Sequence, residues 1–273
     1  MMKYLSKFIF LLLSTIFLSS CKTLAYEHDT ISNMYGFQRV LVKGGDFWIT
    51  TYQKISDKYK PYVFYIEGDG AAFVGKYRIS RNPTPRKQMF IKLAAMDDRP
   101  NVVYVARPCQ YTPMTLNPKC NAQYWTSKRM YENIVQSLND VINNINNANK
   151  FSLIGFSGGG GIAIIIAARN NMVKDMITIA ANLDHVAFTT LHNVIPMTES
   201  LNPIDYINQV KHIPQLHISG EKDNIIPPFI ANKFMQKAAS NCVKQQTYKE
   251  ISHNLGWEKV WKYVYTRPLS CYD

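Results

Sequence analysis

The chain has 273 residues, of which 47% are hydrophobic, and a formal charge of +12 at pH 7. That length and apolar content are ample for a buried core in one domain. Its basic residues are scattered, without a long Lys/Arg run or a recognisable reading motif. That scatter argues against nucleic acid as a partner, and a basic surface near anionic lipid or polyanionic envelope polymers is the plainer reading of the charge.

Residues 1–21 read as a signal peptide. Met1 to Lys7 is a short basic region, Phe8 to Phe17 is almost wholly apolar, and Leu18-Ser19-Ser20-Cys21 closes the stretch with small residues. This apolar core is shorter than the ~20 residues a transmembrane helix needs, so export is expected. Leu-Ser-Ser-Cys resembles the bacterial lipobox, which implies cleavage before Cys21, acylation of that cysteine and a membrane anchor. Lys22 stands where an aspartate would signal retention in the inner membrane, which implies the outer membrane if the source is Gram-negative. Residues 22–44 read as a tether and irregular entry, and 45–273 as the folded domain.

Within that domain, Phe47 to Tyr52 alternates like an edge strand, and Pro61 to Ile66 is a buried strand running into Glu67-Gly68-Asp69-Gly70-Ala71-Ala72. Arg78 to Pro85 is a polar, proline-bearing loop, and Lys87 to Met96 reads as a helix. Asn101 to Ala106 is the next strand, followed by a helix over Arg129 to Asn147 with Ile134, Leu138, Val141 and Ile142 at helical spacing. Phe151 to Ile154 then enters Gly155-Phe156-Ser157-Gly158-Gly159, and an apolar helical segment leaves it. This is G-x-S-x-G between strand and helix, a turn so sharp that the positions two before and two after the serine have no room for bulk. Ser157 is the candidate nucleophile. The helix N-terminus aims free N–H groups at whatever it attacks, Gly158 N–H being the nearest.

Strand, serine elbow and helix together resemble the α/β-hydrolase superfamily. The resemblance covers most of the chain from about residue 45 and implies an α/β fold with a mostly parallel central sheet flanked by helices. It also implies that the acid and then the histidine follow the serine along the chain, and that the loop after the earlier strand supplies a second backbone donor to an oxyanion. Gly158 with Asp69 or Gly70 fit those donor roles. The Asp69 carboxylate would oppose an oxyanion unless it points away or pairs with a cation such as Lys76 or Arg78. Met176 to Ala181 is the next strand, ending near Asp184, an alternative acid at a strand's C-terminal end. A short cap over Ala187 to Val210 follows. The strand Pro214 to Ser219 runs into Gly220-Glu-Lys-Asp223-Asn-Ile-Ile-Pro227, which resembles the turn where many α/β-hydrolases hold their acid. Asp223 is the first choice for that role. A helix over Ile230 to Ala239 and a strand over Gln246 to Ile251 lead to His253, which falls where the superfamily order requires its base.

Cys109, Cys120, Cys242 and Cys271 remain after Cys21, an even number that suggests two disulfides in an exported chain. Three connectivities are open; Cys109 with Cys120 is the shorter pair in sequence and would leave Cys242 with Cys271. No metal site is expected, because there is no C-x-x-C and the pair His185 and His192 lacks a third ligand in pattern. No organic cofactor is implied. The expectation is a monomeric serine hydrolase of the esterase or lipase kind, acting on a small-molecule or lipid ester through Ser157, His253 and Asp223. Acyl transfer on the same residues, or a non-catalytic binding lipoprotein that keeps the fold, are the alternatives.

Overall fold

A computed structural model of the chain describes residues 29–272 apart from 31, 76, 77, 148 and 149. Cys21 and the whole signal segment lie outside the described residues. Ten strands are present among them: β1 (Gln38–Gly44), β2 (Phe47–Ile55), β3 (Tyr62–Ile66), β4 (Phe73–Val74), β5 (Arg78–Ile79), β6 (Asn101–Val105), β7 (Phe151–Phe156), β8 (Val173–Ile179), β9 (Gln215–Gly220) and β10 (Val243–Tyr248). Eight of them form one sheet in the order β1-β2-β6-β3-β7-β8-β9-β10, and β4 and β5 pair as a small separate hairpin. The pairs β1/β2 and β2/β6 are antiparallel, whereas every neighbour from β6 to β10 is parallel. All five residues of β3 and of β6 are buried, as expected of central parallel strands covered on both faces.

The helices are α1 (Met89–Met96), α2 (Glu132–Ile145), α3 (Gly158–Ala167), α4 (His185–His192), α5 (Ile207–Val210), α6 (Pro228–Ala238) and α7 (Glu258–Tyr265). Two apolar clusters lie on the two faces of the sheet. One joins α2, α3, α5 and α6 through residues such as Leu138, Ile164, Ile207 and Phe234; the other joins α1 and α7 through Phe90, Leu93, Trp257 and Trp261. α3 is buried along its whole length, which is why its sequence is apolar on every side rather than striped. Full burial of each of its isoleucines is worth about 1.5–3 kcal/mol, and it holds the residue at its N-terminus against the sheet.

The structure departs from the sequence reading at two places. Residues 38–44, expected to be irregular, are strand β1 and pair with β2 over Gln38–Gln53 to Gly44–Phe47. Phe47 to Tyr52 is therefore not an edge. β1 is largely solvent-facing, so it shows little of the apolar run by which a strand is found. The cap segment is also more regular than expected, because Asp184 caps α4 by accepting from the N–H groups of Val186 and Ala187. The disulfides pair Cys109 with Cys120 and Cys242 with Cys271.

Candidate active site

Six parallel strands, β6, β3, β7, β8, β9 and β10, bring their C-terminal ends to one edge of the sheet, and the expected site residues collect there. Ser157 follows β7 with φ 52°, a left-handed conformation costing about 1–3 kcal/mol for a residue with a side chain. Three backbone hydrogen bonds hold it: Ser157 N–H to Ile179 O, and Gly160 and Asn182 N–H to Ser157 O. The flanking glycines are required by contact. A Cβ on Gly155 would lie 2.5 Å from Gly160 Cα, and one on Gly159 would lie 2.3 Å from Ile66 O and 2.4 Å from Glu67 O. The elbow is thus pressed between its own helix and the end of β3.

His253 arrives from the loop after β10. Its Nε2 lies 3.2 Å from Ser157 Oγ and its Nδ1 lies 2.8 Å from Asp223 Oδ2. Asp223 is 3% exposed, and its other oxygen accepts from Ile225 N–H (2.9 Å) and Ile226 N–H (2.8 Å), which fixes the carboxylate's plane. The imidazole is held from behind as well, since Trp257 Nε1 donates to His253 O at 3.0 Å and the Phe156 ring lies 5.0 Å from the imidazole. Hydroxyl, imidazole and carboxylate form one hydrogen-bonded series. The alternative acid is not part of it. Asp184 Oδ2 pairs with Lys233 Nζ at 2.6 Å, and its Oδ1 receives the α4 N–H groups and Asn202 Nδ2.

The loop after β3 lies over the elbow, and a Cβ on Gly158 would meet Asp69 Oδ1 at 2.1 Å. The N–H groups of Asp69, Gly70 and Gly158 donate to no group among the described residues. Lys76 lies outside the described residues, and Asp69 does not pair with Arg78. Its partners are Arg107 (3.1 Å) and Arg129 (2.7 Å), each brought from a later segment. Burial alone would raise the Asp69 carboxyl, but the Arg129 and Arg107 guanidiniums prevail and hold it below its usual value. Asp69 therefore stays charged, with its charge drawn off by two cations. Beside it, Glu67 is buried and accepts from Gly68 N–H (2.7 Å) and from the Tyr104 hydroxyl. Burial pushes the Glu67 carboxyl up to about 7 despite those two donors.

Ser157, His253, Glu67, Asp69 and Arg129 line a cleft of about 380 Å³, whose apolar surface comes mainly from Phe73, Met89, Phe90, Phe156, Phe188 and Ile225. A family model described as serine hydrolase (FSH1) matches residues 90–254, which span α1, the elbow, Asp223 and His253. The chain belongs to this FSH1 serine hydrolase family. It is also 32% identical over 118 residues to the protein bem46 of Schizosaccharomyces pombe, a match covering 38% of each chain. The chain thus matches well under half the length of that relative. Among solved structures it resembles the esterase Pf2001 of Pyrococcus furiosus (TM-score 0.57, 12% identity, 86% of this chain and 91% of that one). It also resembles a bacterial membrane phospholipase A (TM-score 0.60, 14% identity, 97% of each chain) and Est1E of Butyrivibrio proteoclasticus (TM-score 0.58, 12% identity, 83% and 95%). At such identities these structures bear on the fold, which is that of the α/β-hydrolases.

Three residues of this serine hydrolase's cleft escape a reading of the sequence. Arg129 reaches Asp69 across 60 positions, and no local pattern marks it. Glu67 sits in plain view in the glycine loop, but the burial that raises its pKa comes from tertiary packing, as does the Tyr104 hydroxyl that donates to it. Asn182 is 2% exposed and lines the cleft, and its Oδ1 has no partner among the described residues. The histidines weighed as a metal pair are otherwise engaged: His185 Nε2 lies 3.0 Å from Ser200 O and His192 Nε2 lies 2.8 Å from Ile225 O.

Proposed function

We infer that the protein hydrolyses carboxylic esters through an acyl-enzyme on Ser157. His253 Nε2 takes the hydroxyl proton as Oγ attacks the acyl carbon, and Asp223 holds the Nδ1–H tautomer and stabilises the imidazolium. Gly158 N–H and that of Asp69 or Gly70 receive the developing oxyanion, a contribution of about 3–4 kcal/mol for each preorganised donor. The Asp69 carboxylate nearby does not oppose this charge, because Arg107 and Arg129 neutralise it. Water then enters along the same path and His253 acts as its base, releasing the acid.

The observation that carries this reading is the unbroken series from Ser157 Oγ to His253 at 3.2 Å and on to Asp223 at 2.8 Å. An activated serine reacts with a fluorophosphonate. Purified residues 29–273 are expected to take one such adduct, located on Ser157 by mass spectrometry, and to lose it in Ser157→Ala and His253→Ala. Well-folded protein that stays unlabelled would overturn the assignment.

A further inference from the structure

One wall of the cleft is basic without compensation. Between Asp69 and Asp97 the chain carries six cations, Lys76, Arg78, Arg81, Arg86, Lys87 and Lys92, and no carboxylate. This segment supplies Gly70 to Phe73 and Pro85 to Lys87 of the cleft lining. Its described residues are held by packing and hydrogen bonds rather than left loose. Ala71 N–H bonds Pro83 O, Ser80 N–H bonds Ala72 O, Tyr111 N–H bonds Thr84 Oγ1 and Trp125 Nε1 bonds Ser80 O. Pro83 and Thr84 are buried on one side of Arg86 and Lys87, and Met89 and Phe90 on the other, so both cations are held at the rim in fixed backbone positions.

Neither rim cation is spoken for. The ion pairs among the described residues engage other lysines and arginines, and Arg86 and Lys87 are both exposed. The carboxylates that face the cleft are already committed. Asp69 is shared by Arg107 and Arg129, which leaves that trio with one net positive charge. Glu67 is tied to Gly68 N–H and Tyr104, and Asp223 lies behind His253. Among the described residues no free anion lies in the cleft to satisfy Arg86 and Lys87. An apolar interior with a cationic rim matches an amphiphile whose charged end is negative.

We propose that Arg86 and Lys87 form a subsite for an anionic group, a phosphate or carboxylate, on the alcohol side of the ester that Ser157 cleaves. The proposal rests on the esterase reading and narrows it to acyl esters with an apolar acyl chain and an anionic alcohol. The acyl chain lies against Phe73, Phe90, Phe156 and Phe188. On attack, the ester C–O bond breaks and the alcohol oxygen takes the proton from His253. The alcohol leaves with its anion intact, and water supplies the hydroxyl of the released acid.

Binding tests the subsite without turnover. The probes for Ser157→Ala protein are 1-octanoylglycerol 3-phosphate, the matching carboxylate ester and uncharged 1-octanoylglycerol, each below its micelle concentration, by titration calorimetry. Two half-solvated cation contacts should make the anionic probes bind about tenfold tighter than the neutral one. That ratio should collapse towards one in the Arg86→Gln/Lys87→Gln variant and at about 0.5 M NaCl, where the screening length falls to a few ångströms. Lys92→Gln, which removes a cation of the same segment outside the cleft lining, should keep the ratio. A preference for the phosphate over the carboxylate identifies a phosphoester headgroup; equal gains identify any anion. Equal affinity for charged and neutral probes overturns the proposal, as does a preference that survives the double variant. If wild-type protein also fails to take the fluorophosphonate, the esterase reading falls while the binding data still decide the subsite.

Discussion

Two aspartates at the ends of neighbouring strands have nearly the same surroundings and different work. Asp184 after β8 and Asp223 after β9 are both almost fully buried, and each uses Oδ1 to accept two backbone N–H groups of the turn that follows it. Each offers Oδ2 to one basic side chain, Lys233 for Asp184 and His253 for Asp223. The Lys233 side chain is 54% exposed and ends at solvent, whereas His253 continues to Ser157. A buried aspartate capping a turn is therefore a common local device. What makes one of them a candidate catalytic acid is the partner delivered to its second oxygen.

The sharpest break of this comparison is Asp223→Asn. Asparagine keeps the turn but no longer holds the correct imidazole tautomer, and kcat on a chromogenic ester should fall about 10⁴-fold. A loss under tenfold would remove Asp223 from the mechanism. Asp184→Ala should do the converse. It deletes the α4 cap and should cost about 1–2 kcal/mol in urea unfolding, with little from the solvent-screened lysine pair, while kcat changes less than tenfold. A larger kinetic than thermodynamic loss would return Asp184 to contention.

A third strand-end carboxylate sharpens the same point. Glu67 after β3 receives only neutral donors among the described residues, Gly68 N–H and the Tyr104 hydroxyl, and burial raises it from 4.5 to about 7. The folded protein therefore holds a proton that the unfolded chain gives up, so this group's contribution to stability is full below pH 4.5 and is lost as pH rises through 7. His217, buried in β9 and bonded to Thr178 and Gln215, is depressed by burial from 6.5 to about 3. Its contribution has the opposite sign, full above pH 6.5 and lost as pH falls towards 3. Between 4.5 and 6.5 the two opposing slopes, each about 1.4 kcal/mol per pH unit, nearly cancel. Glu67→Gln leaves the His217 slope alone, so urea unfolding of that variant should show stability rising from about pH 5 to about pH 6 where the wild type is flat. A wild type that rises as steeply as the variant would mean that Glu67 is ionised in the fold, and a flat variant would mean that His217 is not depressed.

The nucleophile elbow was legible in the sequence because its cause is local. Glycines at 155 and 159 are required by atoms a few ångströms away, and Phe151 to Ala168 contains the strand, the turn and the helix that impose the requirement. The buried strands β3, β6 and β7 were legible for a related reason, since burial on both faces writes a continuous apolar run into the chain. The strand β1 was not, because an exposed edge strand has no such run. The partners of Asp69 were not either. The sequence offered the nearby Lys76 and Arg78, but Arg107 and Arg129 take that carboxylate from 38 and 60 positions away.

Sequence by itself determined the order Ser157, Asp223, His253 and the turns that carry them, because turns, caps and strand ends are set by interactions within a few residues. Only the tertiary structure decided which buried aspartate His253 meets, which arginines neutralise Asp69, and which cations of the 70–96 segment stand at the cleft without a partner. Those outcomes depend on strand order in the sheet, and an ion pair or hydrogen bond records nothing in the sequence about the distance along the chain that its partner has come.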